Sequence, residues 1–261
     1  MPKFAANLTM LFNEMDFMDR FGAAAKAGFL GVEYLFPYPY PKDALAEALS
    51  RNGLTQVLHN LPAGEWTNGE RGIACLPGRE GEFQEGVGKA IEYAHALKCT
   101  RLNCLVGISP AGVDRAQVEK TITENLRFAA RALDAAGIQL LVEPVNTYDI
   151  PGFHLSRTDK TLALFDEIGE RNLWLQYDIY HMQRSEGELA ATITKNLARI
   201  AHMQIADNPG RNEPGSGEIN YGFLFQHIDK SGYSGWIGCE YKPKKSTVEG
   251  LEWLAHAAVR S

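Results

Sequence analysis

The sequence is poor in the features that mark secreted, membrane-spanning or disulfide-stabilised proteins. It has only four cysteines in 261 residues, and no two of them form a C-x-x-C pair. This predicts a protein without disulfides from a reducing compartment, the cytoplasm. The N-terminal stretch MPKFAANLTMLF lacks the long apolar core of a secretory signal. No run reaches the roughly 20 apolar residues that span a bilayer, which predicts that no membrane is involved.

Positive charge is also scarce, because the sequence has 26 Lys and Arg but 32 Asp and Glu, which gives a formal net charge of −6. Nucleic-acid binding needs clustered cations, so this balance predicts no nucleic-acid partner. The net charge does not exclude a small anionic substrate, since binding it needs only one local cation or metal. The sequence has no G-x-S-x-G elbow, no Walker loop and no dinucleotide fingerprint, so nothing in it supports nucleophilic catalysis or a nucleotide cofactor.

Eight short apolar segments recur along the chain and are separated by amphipathic stretches. They are residues 4–7, 31–36, 55–58, 101–106, 138–143, 173–178, 200–205 and 236–241. Several are almost entirely apolar, which is typical of strands buried on both faces of a parallel sheet. Eight strands, each followed by a helix, predict an α/β fold of the (β/α)₈ TIM barrel type, which needs roughly 250 residues. No break suggests a second domain, so we expect one barrel domain over residues 1–261.

Capping residues and helical periodicity mark the segments between these strands. Between Asp114 and Gly137, apolar residues recur at steps of three and four. Asp114 is placed to cap the start of that helix and Gly137 to end it. Ser246 and Glu249 have the spacing of a capping box at the start of the last helix. Two long loops rich in Gly and Pro, at 59–82 and 206–219, follow strands, where barrels carry their chemistry, and we expect substrate contacts there.

Four polar side chains end four successive predicted strands. They are Glu143, Asp178, Gln204 and Glu240, at separations of 35, 26 and 36 residues. A lone glutamate at a strand end is more often solvated or ion-paired. Three carboxylates at one rim would repel each other, and burial beside apolar residues is costly unless a metal binds them. Three carboxylates and one amide oxygen form a hard ligand set, which predicts Mg²⁺ or Mn²⁺.

Three further residues are candidates for substrate binding. His181 could donate to substrate oxygens, or it could only hydrogen-bond its own turn. Arg211 lies in the loop after Gln204, where a guanidinium could face a substrate carboxylate in fork geometry. His59 ends the third predicted strand, where it would either line the pocket or cap the strand.

Seven segments, more specific than any short motif, carry a resemblance to a known family. They are FAANL (4–8), LFPY (35–38), HNLPAGEW (59–66), GERGIACLPGR (69–79), QYDIYHMQ (176–183), QIADNPGR (204–211) and GCEYKP (238–243). The chain resembles, over essentially its full length, the hydroxypyruvate isomerase family of the xylose isomerase-like barrels. The resemblance implies a metal held by Glu143, Asp178, Gln204 and Glu240, with Glu143 and Glu240 as the acid/base pair. The sugar epimerases of this superfamily usually have a histidine in place of Gln204, which makes that activity a poorer match.

The resemblance implies an isomerase that interconverts hydroxypyruvate and 2-hydroxy-3-oxopropanoate (tartronate semialdehyde). Proton transfer would pass through an enediolate with the help of the metal. The first alternative is a 2-oxotetronate isomerase, with the same chemistry on a four-carbon keto acid; segments 59–66 and 176–183 look more like the hydroxypyruvate enzyme. A barrel nuclease would need a multi-zinc histidine cluster, whereas the seven histidines are scattered. A sugar-acid-binding protein without turnover is disfavoured by the two glutamates, and a homo-oligomer is expected from the habit of the superfamily.

Overall fold

A closed barrel of eight parallel strands forms the centre of the protein in the computed structural model, which describes residues 2–254. The strands run in chain order around the barrel, and β8 pairs with β1 to close it. Their bounds are β1 Lys3–Asn7, β2 Gly31–Glu33, β3 Thr55–Asn60, β4 Arg101–Cys104, β5 Gln139–Val142, β6 Leu173–Asp178, β7 Ile200–Ile205 and β8 Trp236–Cys239. The predicted (β/α)₈ barrel is therefore confirmed.

Helices connect the strands on the outside of the barrel. Within residues 2–254 these are α1 Arg20–Lys26, α2 Lys42–Arg51, α3 Glu80–Leu97, α4 Arg115–Ala135, α5 Thr158–Ile168, α6 Ile179–Ser185, α7 Leu189–Asn196 and α8 Tyr221–Lys230. The helix expected after β8 begins with a 3₁₀ turn at Glu249–Leu251. Residues 255–261 lie outside the described part of the chain, so the single domain over 1–261 stays a prediction.

The predicted strands have the right number and order, but three of them extend well too far at their carboxyl ends. β2 ends at Glu33, β4 at Cys104 and β8 at Cys239, each two or three residues earlier than expected. The reason is that the chain remains buried after the hydrogen-bonded ladder ends, as at Val106 and Tyr241. An apolar run therefore marks burial rather than the end of strand pairing.

Helix α4 shows how the amphipathic segments pack. The predicted apolar face, which includes Ile122 and Leu126, is buried against the barrel, and Gly137 after it has a φ of +70°. Asp114 occupies the N-cap position as predicted, but its side chain makes no capping hydrogen bond. The capping box is confirmed, since the Ser246 backbone N–H donates to Glu249 Oε2 at 3.3 Å and the Glu249 backbone N–H donates to Ser246 Oγ at 3.4 Å.

The barrel interior changes from apolar to polar along the strands. Alternate residues of a strand point inwards, so β6 contributes Trp174, Gln176 and Asp178 in that order. A small apolar cluster around Leu141 fills the interior near the amino ends of the strands. Polar side chains fill it near the carboxyl ends, and these build the candidate site.

The four cysteines are part of the buried interior of the protein. All four lie within the described residues, and all are buried and free of disulfides, as predicted. Within residues 2–254, no helix combines the length and apolar character that crossing a bilayer requires.

Candidate active site

The four polar side chains predicted at the strand ends are all buried at the carboxyl end of the barrel. Glu143, Asp178, Gln204 and Glu240 are at most 5% exposed. Glu143, Asp178 and His181 each present a ligand-type atom, and these atoms lie within 4.8 Å of one another. The structure thus brings His181, predicted from sequence as a substrate contact, into the centre of the carboxylate cluster.

Asp178 is oriented by the start of helix α6, which follows β6 without a loop. Its Oδ1 accepts hydrogen bonds from the backbone N–H groups of Tyr180 at 2.8 Å and His181 at 3.3 Å. An aspartate at this position satisfies amide groups that the helix leaves unpaired. The cap leaves the second oxygen, Oδ2, turned into the cluster.

Glu143 is held by two amide side chains from neighbouring strands. Its Oε2 accepts from Asn103 Nδ2 at 3.2 Å and from Gln176 Nε2 at 3.0 Å. Its Oε1 lies 3.9 Å from His181 Nε2. One carboxylate oxygen is therefore anchored, and the other faces the cluster.

Gln204 is connected to Glu143 through Gln176, whose Nε2 also donates to Gln204 Oε1 at 2.6 Å. The amide nitrogen of Gln204 donates to Glu33 Oε1 at 2.7 Å. Because a carboxylate only accepts hydrogen bonds, Glu33 fixes the amide so that its oxygen points towards the side of Glu143. This is the orientation that a metal ligand would need.

Arg211 extends from the loop after β7 onto Glu240. Its Nη2 lies 2.7 Å from Glu240 Oε2 and 3.9 Å from Asp178 Oδ2. The carboxylate of Asp207 organises this loop, because it accepts hydrogen bonds from the backbone N–H groups of residues 208, 215, 217 and 219. Among the described residues, the Nε of Arg211 is buried without a hydrogen-bond partner, so a donor is free for an anionic ligand.

Burial dominates the electrostatics of the cluster. Desolvation, with repulsion from Glu240 and Asp178, raises the pKa of Glu143 well above its ordinary value. Desolvation also raises the pKa of Glu240 to about 8, although Arg211 opposes the shift, and it raises the pKa of Asp178. Burial and the nearby guanidinium of Arg211 lower the pKa of His181 well below 6.5, so its ring is neutral.

These observations fit a site for a divalent cation. Three carboxyl groups face one guanidinium, that of Arg211, so ionising all of them would leave an uncompensated negative charge inside the barrel. The Oδ2 of Asp178 is buried and, within residues 2–254, has no hydrogen-bond partner. An orphaned carboxylate oxygen among other carboxylates is what a bound cation would satisfy.

His59 is not brought to this cluster, so its predicted place in the pocket is wrong. It is fully buried, and its ring lies against that of Tyr38 on the helix side of the barrel wall. Burial lowers its pKa to about 3. Strand β3 runs two residues beyond the predicted 55–58 and its register shifts against β2, so the next residue, Asn60, points inwards and accepts from Asn103 at 3.2 Å.

Sequence reasoning missed the polar residues that support the cluster. Glu33, Gln176 and Asn103 all lie inside strands, where they form part of largely apolar runs. Alternation could have found one of them: Gln176 precedes Asp178 by two residues, so both share the inward face of β6. Glu33 has a structural counterpart in Gly238, because a Cβ there would overlap the Glu33 carboxylate, so only glycine fits opposite it.

Comparison with known proteins places the chain in a family. Residues 21–257 match the family model described as xylose isomerase-like TIM barrel. The chain is 56% identical over 254 residues to hydroxypyruvate isomerase of Escherichia coli (strain K12), a match that covers 97% of this chain and 98% of the relative. It is 49% identical to 2-oxo-tetronate isomerase of Cupriavidus necator, with the same coverage.

A solved structure named for a different activity is also similar. The crystal structure of AP endonuclease, family 2, from Brucella melitensis has a TM-score of 0.95 and 46% sequence identity, and the match covers 98% of this chain and 99% of that one. The curated relatives and the family model agree on the fold and on an isomerase relationship. The chain therefore belongs to the xylose isomerase-like TIM barrel family and, within it, to the family of the hydroxypyruvate and 2-oxo-tetronate isomerases.

Proposed function

We propose that this protein is a hydroxypyruvate isomerase, which interconverts hydroxypyruvate and 2-hydroxy-3-oxopropanoate. The observation that carries the proposal is the pair of buried glutamates, Glu143 and Glu240, which lie close enough to repel each other and Asp178, with Arg211 paired to Glu240. The reaction moves one proton from C3 to C2 and one between the two oxygens. It therefore needs a base and an acid in a site that excludes water.

The site is proposed to bind Mg²⁺ or Mn²⁺ through Glu143, Asp178, Gln204 and Glu240. All four offer oxygen donors, which these hard cations prefer. When bound, the cation supplies Lewis-acid polarisation of the substrate carbonyl. The hydrogen bonds of Gln204 with Gln176 and Glu33 support its role as a metal ligand, because they turn its amide oxygen to the side of Glu143.

The two glutamates are proposed to share the proton transfers. An ionised glutamate takes the proton from the carbon that bears the terminal hydroxyl, and a protonated glutamate returns one to the adjacent carbon. The raised pKa values of Glu143 and Glu240 support this division, because they allow one carboxyl group to retain a proton near neutral pH. Positioned acid/base groups of this kind contribute roughly 10²–10⁴-fold to rate.

Arg211 and His181 are proposed to hold the substrate. The buried Nε of Arg211 has no partner among the described residues, whereas Nη2 donates to Glu240, so Nε is the donor that a substrate carboxylate would take. His181 Nε2 lies within 4 Å of both Glu143 and Asp178, so it can reach an oxygen of any molecule bound between them. The keto acid would thus have its charge at Arg211 and its reacting carbons at the glutamates.

Two other activities are distinguished by specific observations. A 2-oxo-tetronate isomerase would use the same groups on one more carbon, and it is the second candidate because of its lower identity, 49% against 56%, and the resemblance of segments 59–66 and 176–183 to the hydroxypyruvate enzyme. A nuclease, the activity for which the Brucella structure is named, is disfavoured. Among the described residues, the one metal-type cluster contains a single histidine, and the chain carries a net charge of −6. We also propose a cytoplasmic location, which the four unpaired cysteines support.

The test is isomerisation in D₂O, with nuclear magnetic resonance used to follow deuterium at C2 and C3 of hydroxypyruvate. The wild-type protein with Mg²⁺ or Mn²⁺ should incorporate deuterium and form the aldehyde. Glu143→Gln and Glu240→Gln should each lose turnover by roughly 10²-fold or more. If both variants exchange the proton at the wild-type rate, the mechanism is wrong.

A matched control is Glu170→Gln. Glu170 lies in the loop between α5 and β6, at the rim of the barrel opposite the site, and its carboxyl group pairs with Arg131. It should keep full activity. The same assay on the four-carbon 2-oxo-tetronate gives the ratio of the two kcat/KM values. A ratio in favour of the four-carbon acid would replace hydroxypyruvate with 2-oxo-tetronate as the assigned substrate.

A further inference from the structure

His181 is the one member of the buried cluster whose chemical role depends on where its proton lies. With the proton on Nε2, the ring can donate a hydrogen bond towards Glu143 and Asp178. With the proton on Nδ1, the same Nε2 would carry a lone pair and could bind a metal. What contacts Nδ1 therefore decides between the two roles.

The partner of Nδ1 is Asn146, in the loop after β5. Its side-chain nitrogen Nδ2 lies 2.6 Å from His181 Nδ1, and its backbone N–H lies 3.5 Å from the same atom. Both Asn146 and His181 are buried, at 0% and 2% exposure. Two donors directed at one ring nitrogen require that nitrogen to be the acceptor.

The orientation of the Asn146 amide is itself fixed by its other contacts. Its Oδ1 accepts from the backbone N–H groups of Tyr148 at 3.1 Å and Asp149 at 2.9 Å. Its Nδ2 also donates to Asp149 Oδ2 at 3.2 Å. A flipped amide would place NH₂ against two N–H groups and its oxygen against a carboxylate, so only one orientation satisfies all of these groups.

We propose that Asn146 is a positioning residue that sets the tautomer of His181, so that His181 donates a hydrogen bond to the substrate and is not a metal ligand. The neutral ring has one proton, and with Nδ1 accepting from Asn146 that proton lies on Nε2. Nε2 lies 3.7 Å from Asp178 Oδ2 and 3.9 Å from Glu143 Oε1. The donor therefore points into the space where a substrate oxygen would lie, and metal binding is left to oxygen atoms.

The direct test is the protonation of the two ring nitrogens in ¹⁵N-labelled protein, read from long-range ¹H–¹⁵N spectra of the imidazole. The resonances are assigned by their loss in His181→Gln. In the wild-type protein, both with Mg²⁺ and without it, Nδ1 should be unprotonated and Nε2 protonated. A protonated Nδ1, or an Nε2 that loses its proton when Mg²⁺ is added, would overturn the proposal.

Asn146→Asp tests the mechanism, because the new carboxylate keeps the shape and can still accept from the two backbone N–H groups but cannot donate to His181. Nδ1 should become protonated, and kcat/KM should fall roughly 10–100-fold, the size of the loss seen when a residue that orients a metal-bound histidine is changed. Asn146→Ala, which adds no charge, should lower kcat/KM in the same direction. Wild-type spectra and kinetics in both variants would refute the role of Asn146.

The matched control is Asn172→Asp. Asn172 is also buried, and its Nδ2 donates to the carbonyls of Ala130 and Ile138, away from the site. This variant should be less stable but should keep the His181 spectrum and the kcat/KM of the wild type. The kinetic part rests on the proposed isomerase function, whereas the spectra do not, so a protein without isomerase activity would still reveal the tautomer.

Discussion

The pH dependence of stability in the metal-free protein follows from the burial of Glu240. Its pKa is raised from 4.5 to about 8. Below pH 4.5 both the folded and the unfolded chain hold this proton, and between the two values only the folded chain holds it. The free energy of unfolding should therefore fall as pH rises through this window. At about 1.4 kcal/mol per pKa unit, the loss approaches 5 kcal/mol, or roughly 10 °C in Tm.

A divalent cation should reverse this trend, because it binds ionised carboxylates and displaces the proton. Thermal unfolding is measured by calorimetry between about pH 5 and pH 8, once with a chelator and once with excess Mn²⁺. The increase in Tm caused by Mn²⁺ should grow with pH. Tm should depend less on pH in Glu240→Gln, because this variant lacks one group that takes up a proton on folding. Glu170→Gln should keep the pH dependence of the wild type. A metal-free Tm that rises with pH above about 6.5, where the buried His59 and His181 no longer oppose the trend, or an equal effect of Mn²⁺ at both ends, would refute the reasoning.

Three further predictions concern residues around the cluster. Arg211→Ala and Arg211→Lys should both lower kcat/KM for hydroxypyruvate by tenfold or more, because a hydrogen bond to a charged group contributes roughly 1.5–3 kcal/mol; unchanged kinetics would make Arg211 only a loop residue. Glu33→Ala removes the one oxygen that accepts from both Asn7 and Gln204 and should weaken Mn²⁺ binding in a calorimetric titration, a loss that wild-type affinity would disprove. Gly238→Ala places a Cβ against the Glu33 carboxylate and should cost roughly 1–3 kcal/mol in chemical unfolding, whereas unchanged stability would show that Glu33 can move.

The barrel could be predicted from the sequence because each strand is a short apolar run and each helix has regular periodicity. The strand ends could be predicted less well, since burial continues past β2, β4 and β8. Glu143 and Glu240 were found because each is the first charged residue after an apolar strand. Glu33 was hidden, because nothing in a single strand shows that the carboxylate lies against Gly238 of β8, on the other side of β1.

His59 shows the limit of assigning site residues by their position in a strand. Successive side chains of a strand point to opposite sides, so a shift of one residue in register exchanges the pocket for the helix layer. The sequence predicts a regular strand over 55–58, whereas β3 runs to Asn60 and its register shifts by one residue against β2. The inward position therefore belongs to an amide that accepts from Asn103, and the histidine packs outside.

The direction of hydrogen bonds is the part of the site that residue types alone do not give. A glutamine or histidine offers either a donor or an acceptor to its neighbour, and the sequence does not say which. In this structure the choice is made by groups that have only one option. The carboxylate of Glu33 can only accept, so Gln204 must turn its oxygen the other way. The backbone N–H groups of Tyr148 and Asp149 can only donate, so Asn146 must present its NH₂ to His181. Both chains of contacts end in the same cluster, one with an acceptor suited to a cation and the other with a donor suited to a substrate oxygen.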